Sequence, residues 1–131
     1  MDMRYLTYIA ENSHSLNKND RIVGFFLYDK YREVVARIDG ILVEGKTCLA
    51  RYIVINQGGF LNIRGKKTLV PREACEVVDL GEVKTAWSGR SLNDAPSPED
   101  INKVTADEEE LILSYFDLKP YWTMKHKDGA G

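Results

Sequence analysis

The stretch Glu33-Val34-Val35-Ala36-Arg37-Ile38-Asp39-Gly40-Ile41-Leu42-Val43-Glu44 decides the class of fold. In an extended chain Val34, Ala36, Ile38 and Leu42 fall on one face, and Val35, Arg37, Asp39 and Ile41 on the other. A period of two is the signature of a strand, because successive side chains point to opposite faces of a sheet. Gly40 interrupts the run, which predicts a bulge or a sharp bend. Such a kink lets a long strand wrap a small barrel.

Working outward, residues 22–28 are β-branched and aromatic and read as a strand, followed by the polar connection Asp29-Lys30-Tyr31-Arg32. Glu44-Gly45-Lys46 is a turn. Residues 48–56 form the next strand, strongest at Tyr52-Ile53-Val54-Ile55. Residues 67–71 are a short strand closed by Pro71, since proline cannot donate to a ladder. Residues 75–80 and 82–87 flank Gly81 as two more. Six strands with short connections predict a mainly β fold: a small closed antiparallel β-barrel over residues 21–87.

The flanks read differently. Residues 1–20 are a polar lead-in with an apolar patch of Tyr5, Leu6, Tyr8 and Ile9. Residues 88–131 are expected to supply a linker, a short helix and an aromatic tail packed on the barrel. Ser97-Pro98-Glu99-Asp100 reads as a helix start, with Ser97 as N-cap and proline at the first position. Thr105-Ala106-Asp107-Glu108 is a capping box followed by a helix to about Phe116, whose apolar side holds Leu111, Ile112, Tyr115 and Phe116. Lys119-Pro120 ends it.

Composition bounds the function. A chain of 131 residues favours one domain with a real core. The net charge of −2 lacks the basic surplus that neutralising a polyanion requires, so nucleic acid is not an expected partner. No apolar run reaches the roughly 18 residues that cross a bilayer, and the N-terminus is too polar beyond Ala10 for a secretory leader. A soluble cytoplasmic protein is expected, with Cys48 and Cys75 as reduced thiols.

The motifs for catalysis fail one by one. In the glycine loop, Gly59 and Gly65 have the wrong spacing for a phosphate loop, and strands flank it where a phosphate loop feeds a helix. The cysteines and the histidines, His14 and His126, have no metal-ligand spacing. The acids of residues 107–110 suit the first turn of a helix, where the macrodipole favours negative charge, better than a pair of catalytic carboxylates. No catalytic residue, metal or cofactor is expected. Two surfaces remain as candidates for binding a partner. One is the loop of Gly58, Gly59 and Phe60 with the bases Arg64, Lys66, Lys67 and Arg72; the other is the aromatic end, Tyr121 and Trp122.

Taken in order, Tyr28-Asp29, residues 34–43, Arg51-Tyr52-Ile53-Val54, Gly58-Gly59-Phe60-Leu61 and residues 67–71 resemble the PRC-barrel family, named for the photosynthetic reaction centre H subunit. Leu92-Asn93-Asp94-Ala95-Pro96 and residues 115–122, ending Pro-Tyr-Trp, are similar to the extension that follows the barrel in H-subunit-like proteins. The chain departs from that subunit in having no N-terminal transmembrane helix. It also departs at two positions where family members usually carry glycine: the first hairpin turn, here Tyr31-Arg32, and Ala36. The resemblance implies a non-enzymatic protein-interaction or assembly module, with another protein or a second copy in a homodimer as its partner. Two alternatives stand beside it. One is a ribosome- or RNA-associated factor, as in the ribosome-maturation branch of the family. The other is a small-ligand-binding protein or enzyme using the glycine loop.

Overall fold

The computed structural model describes residues 6–45, 47–57 and 66–122. Strand β3, Val34–Glu44, is the spine of the molecule, and three neighbours share its two edges. Strand β4, Ala50–Gln57, runs antiparallel along one edge. The other edge takes two short strands end to end. Strand β1, Leu6–Ile9, pairs with the C-terminal half of β3, and β2, Phe26–Tyr28, with its N-terminal half. The register of β3 against β4 slips between Ile38 and Gly40, so the irregularity expected at Gly40 is present. At the other edge of β3, Gly40 packs tightly against β1. A Cβ on Gly40 would lie 2.5 Å from the Tyr8 ring and 2.8 Å from the Ile9 carbonyl oxygen.

The remaining strands extend the sheet at both ends. Strand β5, Lys66–Pro71, pairs with β4. Strand β7, Glu82–Thr85, lies parallel to β2, and β6, Cys75–Asp79, pairs antiparallel with β7. The path is β5-β4-β3-β2-β7-β6, with β1 on β3 beside it.

The strands depart from expectation in four respects. Among the described residues there are seven strands where six were expected, because Leu6–Ile9 of the supposed lead-in is β1. And the sheet is not closed into a barrel. Closure would need β5 and β6, consecutive in the chain, to pair. Pro71, which has no N–H, ends β5, and a 3-10 turn at Arg72–Ala74 carries the chain away to form the far edge against β7. A parallel pair, β2 with β7, stands inside a sheet expected to be antiparallel. The strand expected over residues 22–28 is only Phe26–Tyr28, since Gly24 turns the backbone into the left-handed region at φ +93°.

The described residues include two helices beside the sheet. Helix α1, Gly89–Asp94, occupies what was expected to be linker, and Ser88 caps it by accepting from the Ser91 amide at 3.0 Å. The helix expected from Ser97 does not form. Instead the Glu99 amide donates to Glu108 Oε2, tying that loop to the next helix. Helix α2, Ala106–Tyr115, starts on the expected capping box: Thr105 Oγ1 accepts from the Glu108 amide and Glu108 Oε1 from the Thr105 amide. Both helices pack against β5.

One core runs through sheet and helices. Tyr52, Ile53, Val54 and Ile55 of β4 are all fully buried, so both faces of that strand are covered. Leu27, Leu69, Val83, Leu92 and Ile112 join them; each such side chain removed from water contributes about 2 kcal/mol. Trp87, Tyr115 and Phe116 form a mutual aromatic cluster, with Trp87 and Phe116 edge to face at 5.2 Å. No helix of the described residues is long and apolar enough to cross a membrane.

Candidate functional site

Two features stand out: a polar relay buried between β4 and α2 with a cleft beside it, and an open sheet edge. The relay begins with the phase that the capping box imposes on α2. It turns Glu109, Ile112, Leu113 and Phe116 toward the sheet, a stripe at helical spacing. Leu111, expected on that stripe, is 63% exposed, whereas Glu109, expected in a solvated helix start, is 3% exposed. Glu109 Oε1 accepts from the Tyr52 hydroxyl at 2.8 Å and from the Tyr121 hydroxyl at 2.7 Å. The Arg51 guanidinium lies over the Tyr121 ring at 4.1 Å and pairs with Glu44 at 2.7 Å. One chain of contacts thus joins β3, β4, α2 and the segment after it. Burial, followed by the neighbouring Glu109 carboxylate, raises the Tyr52 hydroxyl above the ordinary phenol range, so it stays protonated as the donor.

The adjoining cleft, about 300 Å³, lies among Arg51, Arg72, Glu73, Cys75, Leu113 and Tyr121. Arg72 is fully engaged: Nε pairs with Asp20 at 2.9 Å, Nη1 donates to the Cys75 carbonyl and Nη2 to the Asn19 carbonyl. Arg51 is likewise paired, so both cations of the cleft have carboxylate partners. Burial pushes the Cys75 thiol up to about 12, against the opposing pull of Arg72. At neutral pH the thiol therefore stays protonated, the form unsuited to nucleophilic attack. Among the described residues no group of three or more His, Cys, Asp or Glu side chains is placed to hold a metal ion.

The residues singled out in the sequence scatter. Gly58, Gly59, Phe60 and Arg64 lie outside the described residues, as does His126. Lys66 opens β5 and donates to the Asn93 carbonyl of α1, and Lys67 Nζ is 3.6 Å from Asp39. Arg72 follows the other end of the same strand, about 20 Å away at the usual rise per residue. It meets Tyr121 in the cleft instead of the lysines. Trp122 packs edge to face on Tyr121 at 4.9 Å.

Compared with protein-family models and with curated proteins, the sequence matches none.

The open edge is the surface that reading the sequence missed. The path of strands has two ends. At one, β5 is covered by both helices, and Leu69, Val70 and Pro71 are buried. At the other, Glu76, Val77, Val78 and Asp79 of β6 are four consecutive exposed residues. Leu80, at the tip of the β6–β7 hairpin, is 89% exposed. Exposed Phe26 is close by, since its amide donates to the Gly81 carbonyl at 3.0 Å. An uncovered edge strand offers its outward N–H and C=O groups for pairing. The signal was in the sequence: Val77-Val78 and Leu80 beside a glycine turn, read only as strand propensity.

Proposed function

We propose that this chain is a non-enzymatic protein-interaction or assembly module that docks a protein partner along the β6–β7 hairpin. The observation that carries this reading is the contrast between the two ends of the strand path. β5 is packed by both helices, while β6 and Leu80 put apolar side chains into water and, among the described residues, no strand pairs with the outer edge of β6. Exposed apolar side chains along an edge strand suit an interaction surface, where an extended partner can add to the sheet. The cleft adds support, because its cations are paired and its thiol is held protonated.

The resemblance to the PRC-barrel family belongs to the same proposal. Four of the five segments that carry it fall on β2 to β5, and the fifth lies outside the described residues. A cytoplasmic setting belongs to it as well, supported by Cys48 and Cys75 as free thiols.

The test is native mass determination of the chain extracted from its source cell. The proposal expects a stoichiometric complex with another protein, well above the 14.9 kDa of the chain alone. A chain recovered only at its own mass under several mild extraction conditions would refute it.

A further inference from the structure

We infer that β6 is completed by an added strand from a partner protein, an extended segment in which apolar and basic side chains alternate. This rests on the interaction reading above and specifies the chemistry of the partner.

The argument starts from the register. Val77 stands opposite Val83, and Val83 opposite Leu27, so the three side chains share one face of the sheet. Leu27 and Val83 are fully buried, but Val77, last in the row, is 38% exposed. An apolar side chain placed beyond Val77 would complete that row. Asp79 stands opposite Glu82, two like charges directly across a ladder. That pairing is unfavourable, and a basic side chain beyond Asp79 would relieve it. Glu76, by contrast, already faces Lys84.

Val78 is the extra residue of a bulge, since the register slips between Val77 and Asp79. Val77 and Asp79 therefore face consecutive residues of β7 and lie on opposite faces of the sheet. A regular incoming strand would meet them with consecutive side chains, one apolar and one basic.

A second copy of this chain fits poorly. Cys75–Asp79 contains no lysine or arginine, so no register of β6 against its own copy sets a basic side chain opposite Asp79. A cationic strand supplies what a second copy lacks.

The experiment uses the full chain and three capped heptapeptides. The first alternates arginine and valine, the second has the same composition in two blocks, and the third alternates glutamate and valine. Amide chemical shifts and hydrogen exchange are read along the chain. The alternating basic peptide is expected to shift and protect the amides of residues 75–79, with the other two leaving them unchanged. Asp79→Asn, which keeps an oxygen for the Leu80 amide, is expected to weaken binding about threefold to fivefold. Glu82→Gln should do the same from β7.

Equal binding of the blocked peptide would overturn the inference. So would an unchanged affinity in both variants, shifts confined to other strands, or a homodimer formed through β6. A native partner that co-purifies while β6 amides exchange as in the free chain would overturn strand addition and leave the interaction module standing.

Discussion

The Tyr52 hydroxyl donates to Glu109 Oε1 at 2.8 Å between a fully buried strand position and a helix 57 residues later. A second phenol, Tyr121, donates to the same oxygen at 2.7 Å. Replacing Tyr52 by phenylalanine removes one hydrogen bond to a charged acceptor, and about 1–3 kcal/mol of stability should go in urea unfolding. Glu109→Ala removes the shared acceptor of two hydroxyls and should cost more than Tyr52→Phe. The raised Tyr52 value also has a sign. The folded chain keeps this proton when the unfolded chain has lost it, so the contribution is complete below the ordinary value of 10.0 and declines as pH rises above it. Alkaline unfolding of Tyr52→Phe should therefore depend less steeply on pH than that of the parent.

Gly40→Ala should be costly for a residue that gains one methyl. The new carbon meets the Tyr8 ring at 2.5 Å and the Ile9 carbonyl at 2.8 Å, so β1 must move. A loss of about 2–3 kcal/mol is expected. Adding Tyr8→Ala should recover only part of it, because the backbone contact remains. Thermal melts of the two variants decide the matter.

Arg32 sits at φ +66° in the turn between β2 and β3. Left-handed backbone costs a side-chain-bearing residue roughly 1–2 kcal/mol, and glycine escapes that cost while losing more entropy on folding. Arg32→Gly should be stabilising by about 0.5–1 kcal/mol. A lowered midpoint in chemical denaturation would contradict this.

The two cysteines should separate cleanly. Cys48 is exposed, whereas Cys75 is buried with its thiol pushed up to about 12. A disulfide-exchange reagent at neutral pH should titrate one thiol in the native chain and the second only after unfolding. Two thiols reacting at similar rates in the native chain would count against the packing around Cys75.

Acid should act through Asp29. Its Oδ1 accepts the amides of Glu33 and Tyr31 and its Oδ2 that of Gly89, and these bonds, the Glu33 amide foremost, hold the carboxyl below its ordinary 3.8. The contribution is present above that ordinary value and is lost as pH falls through the folded one. The acid limb of a stability–pH curve should be shallower in Asp29→Asn than in the parent.

Local signals were legible in the sequence and non-local ones were not. The Thr105 box fixes its own helix with atoms three residues apart, and the alternation of β3 with its break at Gly40 is likewise written in one stretch. Ser88 also caps a helix, but Leu92 is the only large apolar residue of α1, so no periodicity announces it. Ser97-Pro98 carries the chemistry of a helix start, yet Glu108 captures the Glu99 amide from outside. Closure was misjudged because strands can be counted from turns, whereas the partner of an end strand depends on where Pro71 and Arg72–Ala74 send the chain. The relay was half visible. Tyr121 drew notice as an aromatic, but Glu109 was absorbed into an acidic run. Its spacing of three, four and seven from Ile112, Leu113 and Phe116 is the pattern that identifies it.

The parallel pairing of β2 with β7 orders events during synthesis. Phe26 meets Glu82, so β2 has its neighbour on one side, β3, within a few residues, and on the other only after the chain has been made through Thr85. Chain growth therefore makes all of β3, β4 and β5 available to pair before β7 exists. The β6–β7 hairpin, whose partners are adjacent in sequence, supplies the second half. A chain cut short before Glu82 would keep its longest strand and most of its buried aliphatic residues, yet leave β2 as a raw edge where the finished protein presents β6.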